Sequence, residues 1–227
     1  MADIAADNPA AFFFLSGEIK MNDDMFYFLV DNVRDEDKPI RINPGAFATV
    51  KDALDTSSDA LALKAILFIN RYFNDSYIDC YHFKKPAKIQ EWESSAVTGC
   101  TPENKRIIRQ KIKQLCDSGI CNTINNVQKT LIEALKVFYV HCTGKSVEES
   151  EKLAAVAGVY IIIHIDTYYS LHINHSRLLL KVRDRIIYEE FTRGTPVKKL
   201  IRLYNLSETH TYDIIRRVKS MQGVSDV

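Results

Sequence analysis

The chain has 227 residues, 46% apolar and 26% charged, with a formal net charge of only +1. That apolar content is enough to bury one or two real cores, which predicts a globular protein of two or three modules rather than a disordered or fibrous chain. No run of eighteen apolar residues is present. The greasy stretch from Ala10 to Leu15 is too short for a signal peptide and lacks a basic leading segment, so a cytoplasmic protein with no membrane partner is expected. Cys80, Cys100, Cys116, Cys121 and Cys142 are odd in number and lack CxxC spacing, which favours reduced thiols over a disulfide framework or a zinc site.

The first sixty residues carry twelve Asp/Glu against five Lys/Arg, a local net of −7, so this end is not built to meet phosphates. Phe12 to Leu15 reads as a short strand and Met25 to Val33 as an apolar segment. Asp31 to Pro39 and then Pro44-Gly45 read as breaks. Leu61, Ala65, Phe68, Ile69 and Tyr72 recur at helical spacing until Asn74-Asp75-Ser76, and the alternation of Tyr77 to His82 predicts a strand after them. Residues 1–92 are therefore expected to form a small acidic α+β domain, with 92–100 as a linker.

Thr101-Pro102 opens a helix that runs to about Asp117 and ends at Gly119. Lys105, Arg106, Arg109, Lys111 and Lys113 make it basic. A solvated connecting helix over 101–119 is favoured over one that lies along a nucleic acid.

From Asn126 a longer helix carries Val127, Leu131, Ala134, Leu135 and Phe138, and breaks at Thr143-Gly144. Ser146, with Glu149 three residues on, caps a second helix that presents Leu153, Val156, Ala157, Tyr160, Ile161 and His164. This pair is too apolar to stand alone, and Tyr169, Leu171 and Ile173 alternate as a short strand after it. Residues 124–176 are therefore expected to dimerise, burying Leu135, Phe138, Tyr160, Ile161, Tyr169 and Leu171 against a second subunit.

Residues 180–221 spell a compact three-helix device. Val182, Ile186, Ile187 and Phe191 mark one helix, ended by Thr192-Arg193-Gly194. Thr195 and Pro196 start the next, with Val197, Leu200, Ile201 and Tyr204 inward. Asn205 stands where the chain must turn through a left-handed conformation. Ser207 caps a third helix whose Thr211, Ile214, Ile215 and Val218 face in. Two helices joined so tightly form a helix-turn-helix, whose second helix enters a major groove. Lys and Arg outnumber Asp and Glu between Val182 and Lys219, concentrating positive charge in a nearly neutral chain. Thr209 and His210 suit base edges, with Ser207 at the cap beside them. Tyr212, Arg216 and Arg217 suit phosphates or groove edges, and Arg193, Lys198, Lys199 and Arg202 suit the neighbouring backbone.

The order of these elements, ending in YEEFTRG and KKLIRLYNLSETHTYDIIRR, resembles the Mor transcription activator family, the middle-operon regulators of Mu-like phages, over about residues 126–219. Asn205 stands where that family commonly carries glycine, and Asp166-Thr167-Tyr168 where it carries Gly-Gly-Gln. The resemblance implies an intertwined homodimer that binds promoter DNA through two helix-turn-helix units and contacts RNA polymerase. The fold expected is thus mainly α, with the N-terminal α+β domain, a central helical hairpin plus short strand for dimerisation, and a C-terminal helix-turn-helix.

No catalytic motif competes. GxxxxGK and GxSxG are absent, His172 and His175 would fall on opposite faces of a strand, and Asp166, Glu189 and Glu190 read as surface carboxylates. No enzyme activity, cofactor or metal is expected. The alternative is a phage-encoded inhibitor or adaptor that works through protein contacts of the acidic N-terminal half.

Overall fold

In a computed structural model, the structure describes residues 21–37, 42–75, 102–164 and 175–221. These fall into two compact units, one drawn from 1–33 and 174–227, the other from 34–173.

The larger unit is a bundle of α2 (Pro44–Leu54), α3 (Asp59–Asp75), α4 (Pro102–Asp117), a 3-10 turn (Ile120–Asn122), α5 (Asn126–Thr143) and α6 (Val147–His164). Pro44-Gly45, expected as a break, starts a helix instead. The Asn43 side chain accepts from the Gly45 and Ala46 amides at 2.8 and 3.2 Å, and proline at the first position has no amide to leave orphaned. Asp35 caps α3 from afar, accepting from Ser58 Oγ at 2.9 Å and the Ala60 amide at 2.8 Å. The Ala60 amide and the Ser58 hydroxyl hold the Asp35 carboxyl below its usual range, so the cap persists into acid and is lost only as pH falls through that lowered value.

α5 opens with a full capping box: Asn125 Oδ1 accepts from the Gln128 amide at 2.9 Å, and Gln128 Oε1 accepts from the Asn125 amide at 3.0 Å. At the start of α6, Ser146 Oγ accepts from the Glu149 amide at 3.2 Å. From Ala154 to Ile163 α6 is apolar on every side and half- to fully buried, while Glu148, Glu149, Glu151 and Lys152 of its first turns are exposed. α5, α2 and α4 pack around it, while α3 packs on α5 and α2.

This enclosure removes the basis for the expected dimer surface. Leu135, Phe138, Tyr160 and Ile161 are 0%, 1%, 4% and 0% exposed within a single chain. Phe68 of α3 meets Phe138 edge-on at 6.3 Å, and the Arg109 guanidinium of α4 lies 5.6 Å from the Tyr160 ring centroid. Helices α2 and α3 of the acidic half, together with the basic α4, cover the hairpin that was assigned to a second subunit. Tyr169 and Leu171 lie outside the described residues.

The expected fold class is also corrected. No strand occurs among the described residues, and the described parts of the supposed α+β domain are helices. Met25, Phe26, Leu29, Val30 and Val33 are buried at helical spacing in and just after α1 (Asp23–Asn32), whose first amides are met by Asn22 Oδ1, 2.8 Å from the Met25 nitrogen. The segments read as strands at 12–15, 77–82 and 169–173, and the linker at 92–100, lie outside the described residues.

The smaller unit comprises α1, α7 (His175–Thr192), α8 (Val197–Tyr204) and α9 (Glu208–Met221). Ile187, Tyr188, Leu200, Tyr204, Ile214, Ile215 and Val218 form its core, and Phe28 of α1 packs at the edge. The buried Arg185 guanidinium donates to the Asn32 carbonyl, tying α1 to α7.

Helix α6 lies close against α5 at Gly158, where an added Cβ would sit 2.5 Å from Ile132 Cγ1. Gly158→Ala should therefore lower stability by about 1–2 kcal/mol despite alanine's better helix propensity, because overpacking costs about 1–3 kcal/mol. Urea denaturation checks this, and adding Ile132→Ala should recover part of the loss.

Candidate nucleic-acid interface

Local chemistry fixes how α8 and α9 cross. α7 ends in a reversal at Gly194, φ +95°, whose amide donates to the Phe191 carbonyl at 2.9 Å. Pro196 is the N-cap of α8 rather than its first residue, and Thr195 makes no side-chain cap; the Pro196 carbonyl accepts from Lys199 and Leu200 at 2.8 and 3.2 Å. Asn205 takes the left-handed conformation expected of it, φ 49° and ψ 50°, and its amide and that of Leu206 both donate to the Ile201 carbonyl. Ser207 then caps α9: its Oγ accepts from the His210 amide at 3.2 Å and its carbonyl accepts from the Thr211 amide at 3.0 Å.

Thr211, Ile214, Ile215 and Val218 are buried, so the rest of α9 faces outward. All ten residues singled out for contact are exposed: Arg193, Lys198, Lys199, Arg202, Ser207, Thr209, His210, Tyr212, Arg216 and Arg217. Their surroundings differ. Lys198, Lys199 and Arg202 form no ion pair with any described residue, and their spacing gathers them on one stretch of α8. Arg216 is 3.5 Å from Asp213, and together with Glu208, Thr209 and Tyr212 the two line a shallow recess of about 370 Å³ on α9. Arg193 is 3.7 Å from Glu189.

Arg217 is committed elsewhere. It donates to Asp184 Oδ2, while Arg183 holds the other oxygen at 2.6 Å, so two guanidinium groups satisfy one buried carboxylate. Tyr204 Oη likewise donates to Glu190 Oε1 at 3.1 Å, joining α8 to α7. Glu190 is thus a half-buried structural acceptor rather than a surface group, and Glu189 faces Arg185 at 3.7 Å. The Arg183-Asp184-Arg185 run, which falls at buried positions of α7, was a sequence signal for this network.

Residues 173–223 match the Mor transcription activator family. The match covers 51 of 227 residues, all three helices of the Mor-like device and the end of the segment before it. Residues 126–172, included in the resemblance on sequence, fall outside it. No curated protein and no solved structure matches the chain significantly. Among the described residues, no group of three or more His, Cys, Asp or Glu is placed to hold a metal, and no helix is long and apolar enough to cross a membrane. Asp166 and His172 lie outside the described residues.

Removing Asp184 takes from the buried Arg183 guanidinium the carboxylate to which it donates two hydrogen bonds, a loss of about 3–5 kcal/mol. Asp184→Ala should therefore lower the thermal midpoint of the chain far more than Arg217→Ala, which leaves Arg183 in place. Differential scanning calorimetry of the two variants measures the difference.

Proposed function

We propose that the chain is a sequence-specific DNA-binding transcription regulator, a Mor-type activator that works at a promoter in the cytoplasm and contacts RNA polymerase. The observation that carries this is the pairing of unengaged cations with an unengaged polar helix face: Lys198, Lys199 and Arg202 on α8 stand beside exposed Thr209, His210 and Tyr212 on α9, within the segment that matches the family. Cations without partners among the described residues are available to replace counterions on phosphates. The polar N-terminal turn of α9 is the part of a recognition helix that meets base edges.

The alternative, an adaptor working through the acidic half, draws less support. Several of its carboxylates are used inside the fold: Asp52 holds Lys105 at 2.7 Å, Asp55 lies 3.4 Å from Arg109, Asp59 holds Lys51, and Asp35 caps α3.

A salt series of gel shifts with the full chain on duplexes from its own genome tests the proposal. Lys199→Ala and Arg202→Ala should weaken binding to all sequences and each reduce the slope of log affinity against log salt by about one. His210→Ala should change which sequence is preferred. Absence of binding to any duplex at low salt would refute the proposal.

The resemblance also implies a homodimer reading two half-sites about one helical turn, ~34 Å, apart. Its contact cannot be made by Leu135, Phe138, Tyr160 and Ile161, which the bundle encloses. Light scattering should give twice the chain mass at micromolar concentration, and Ile161→Asp should unfold the bundle rather than yield a folded monomer.

A further inference from the structure

Helices α2, α4, α5 and α6 border a cleft of about 830 Å³, within the roughly 300–1,000 Å³ of small-molecule sites. Ala53, Leu54, Leu153, Ala155 and Val156 give it an apolar wall, and Tyr139 of α5 lines it as well. Tyr139 is 8% exposed, yet its hydroxyl makes no hydrogen bond with any described residue, whereas a buried tyrosine usually brings its O–H to an acceptor. The phenol oxygen lies within electrostatic reach of Arg109 and Asp55, both of which line the cleft. Burial pushes the phenol up to about 12, so at neutral pH it is a donor in want of an acceptor. The cations of the cleft are not equivalent. Arg109 is engaged by Asp55 and the Tyr160 ring, Lys145 by Glu149, and Lys152 by Glu148. Lys113 is exposed and forms no ion pair with any described residue, Asp117 one turn further on included; it stands one turn along α4 from Arg109, on the same face of the helix. A donor without an acceptor and an ammonium without a counter-ion, beside an apolar wall, both call for a negatively charged oxygen on an apolar body. Asp117 and Glu151 also line the cleft, and they oppose a polyanion such as a nucleotide.

We propose that this cleft binds a small organic acid with a single carboxylate and an apolar body. The Tyr139 hydroxyl donates to the carboxylate, Lys113 pairs with it, and the body covers Leu153 and Val156. The two polar groups fix the orientation of the ligand, and the apolar wall supplies area removed from water. The site belongs to the bundle of residues 42–164 and does not rest on the DNA-binding reading of the smaller unit.

The test follows amide chemical shifts of the labelled full chain titrated separately with octanoate and 1-naphthoate, which carry the same carboxylate on a chain and on a ring, and with n-octanol as the neutral comparison. At least one of the two acids should give saturable perturbations centred on residues 109–113, 139 and 153–156, and octanol should bind more weakly than octanoate. Tyr139→Phe removes an oxygen that has no partner among the described residues, so it should leave the urea midpoint unchanged while weakening the acid about tenfold, the worth of one hydrogen bond to a charged group. Lys113→Ala should weaken the acid and leave octanol unaffected. Circular dichroism establishes that both variants are folded. No saturable perturbation at these residues with either acid, or folded Tyr139→Phe and Lys113→Ala variants that bind the acid as tightly as the unaltered chain, would overturn the proposal.

Discussion

The left-handed residue between α8 and α9 governs what the smaller unit can present. Asn205 turns the chain within one residue, so Leu200 and Tyr204 on one side and Ile214 and Ile215 on the other meet in a single core. Outside glycine, asparagine is among the few residues that accept this conformation at low cost. With that crossing set, burial of Thr211, Ile214, Ile215 and Val218 leaves Thr209, His210, Tyr212 and Arg216 facing solvent. α7 holds the pair from behind through the Tyr204–Glu190 and Arg217–Asp184 contacts, and α1 closes the other side of the core with Phe28.

Charge alone would not separate the two basic segments of the chain. α4 and α8 are both rich in Lys and Arg, yet Lys105 and Arg109 of α4 are paired with Asp52 of α2 and with Asp55 just after it, while Lys198, Lys199 and Arg202 of α8 have no counter-charge among the described residues. A basic helix opposite an acidic one is consumed in folding. One that meets no acid among the described residues keeps its charge for a ligand. Asp35, Asp52, Asp55 and Asp59, four of the twelve carboxylates in the first sixty residues, are therefore the complement of α3's start, of Lys51 and of α4.

What was legible in the sequence is what local chemistry determines. The left-handed turn, the Ser207 cap and the buried stripe of α9 depend on residues within a few positions of one another, and they stand in the structure where the pattern placed them. The start of α8 shifted by one residue because Pro196 supplies the capping carbonyl itself. Two features were not legible. Short apolar runs in the N-terminal region do not distinguish strand from helix, and Asn22 with Met25, Phe26, Leu29 and Val30 resolves one of them to helix. The cover over Leu135, Phe138, Tyr160 and Ile161 comes from α2, α3 and α4, distant in sequence, so an excess of apolar surface on one hairpin suggested a second subunit when the same chain provides the partner. Where the candidate interface is concerned, exposure of all ten residues was foreseeable from periodicity, but the engagement of Arg217 with Asp184 was not, because thirty-three positions separate them.

The central claim is that α8 and the N-terminal half of α9 meet DNA directly. Amide chemical-shift mapping of the labelled chain, titrated with a duplex from its own promoter region, tests this most directly. The account predicts the largest perturbations at residues 196–202 and 207–216, with the bundle of residues 42–164 little changed. Perturbations confined to the bundle, with α8 and α9 unaffected, would contradict it.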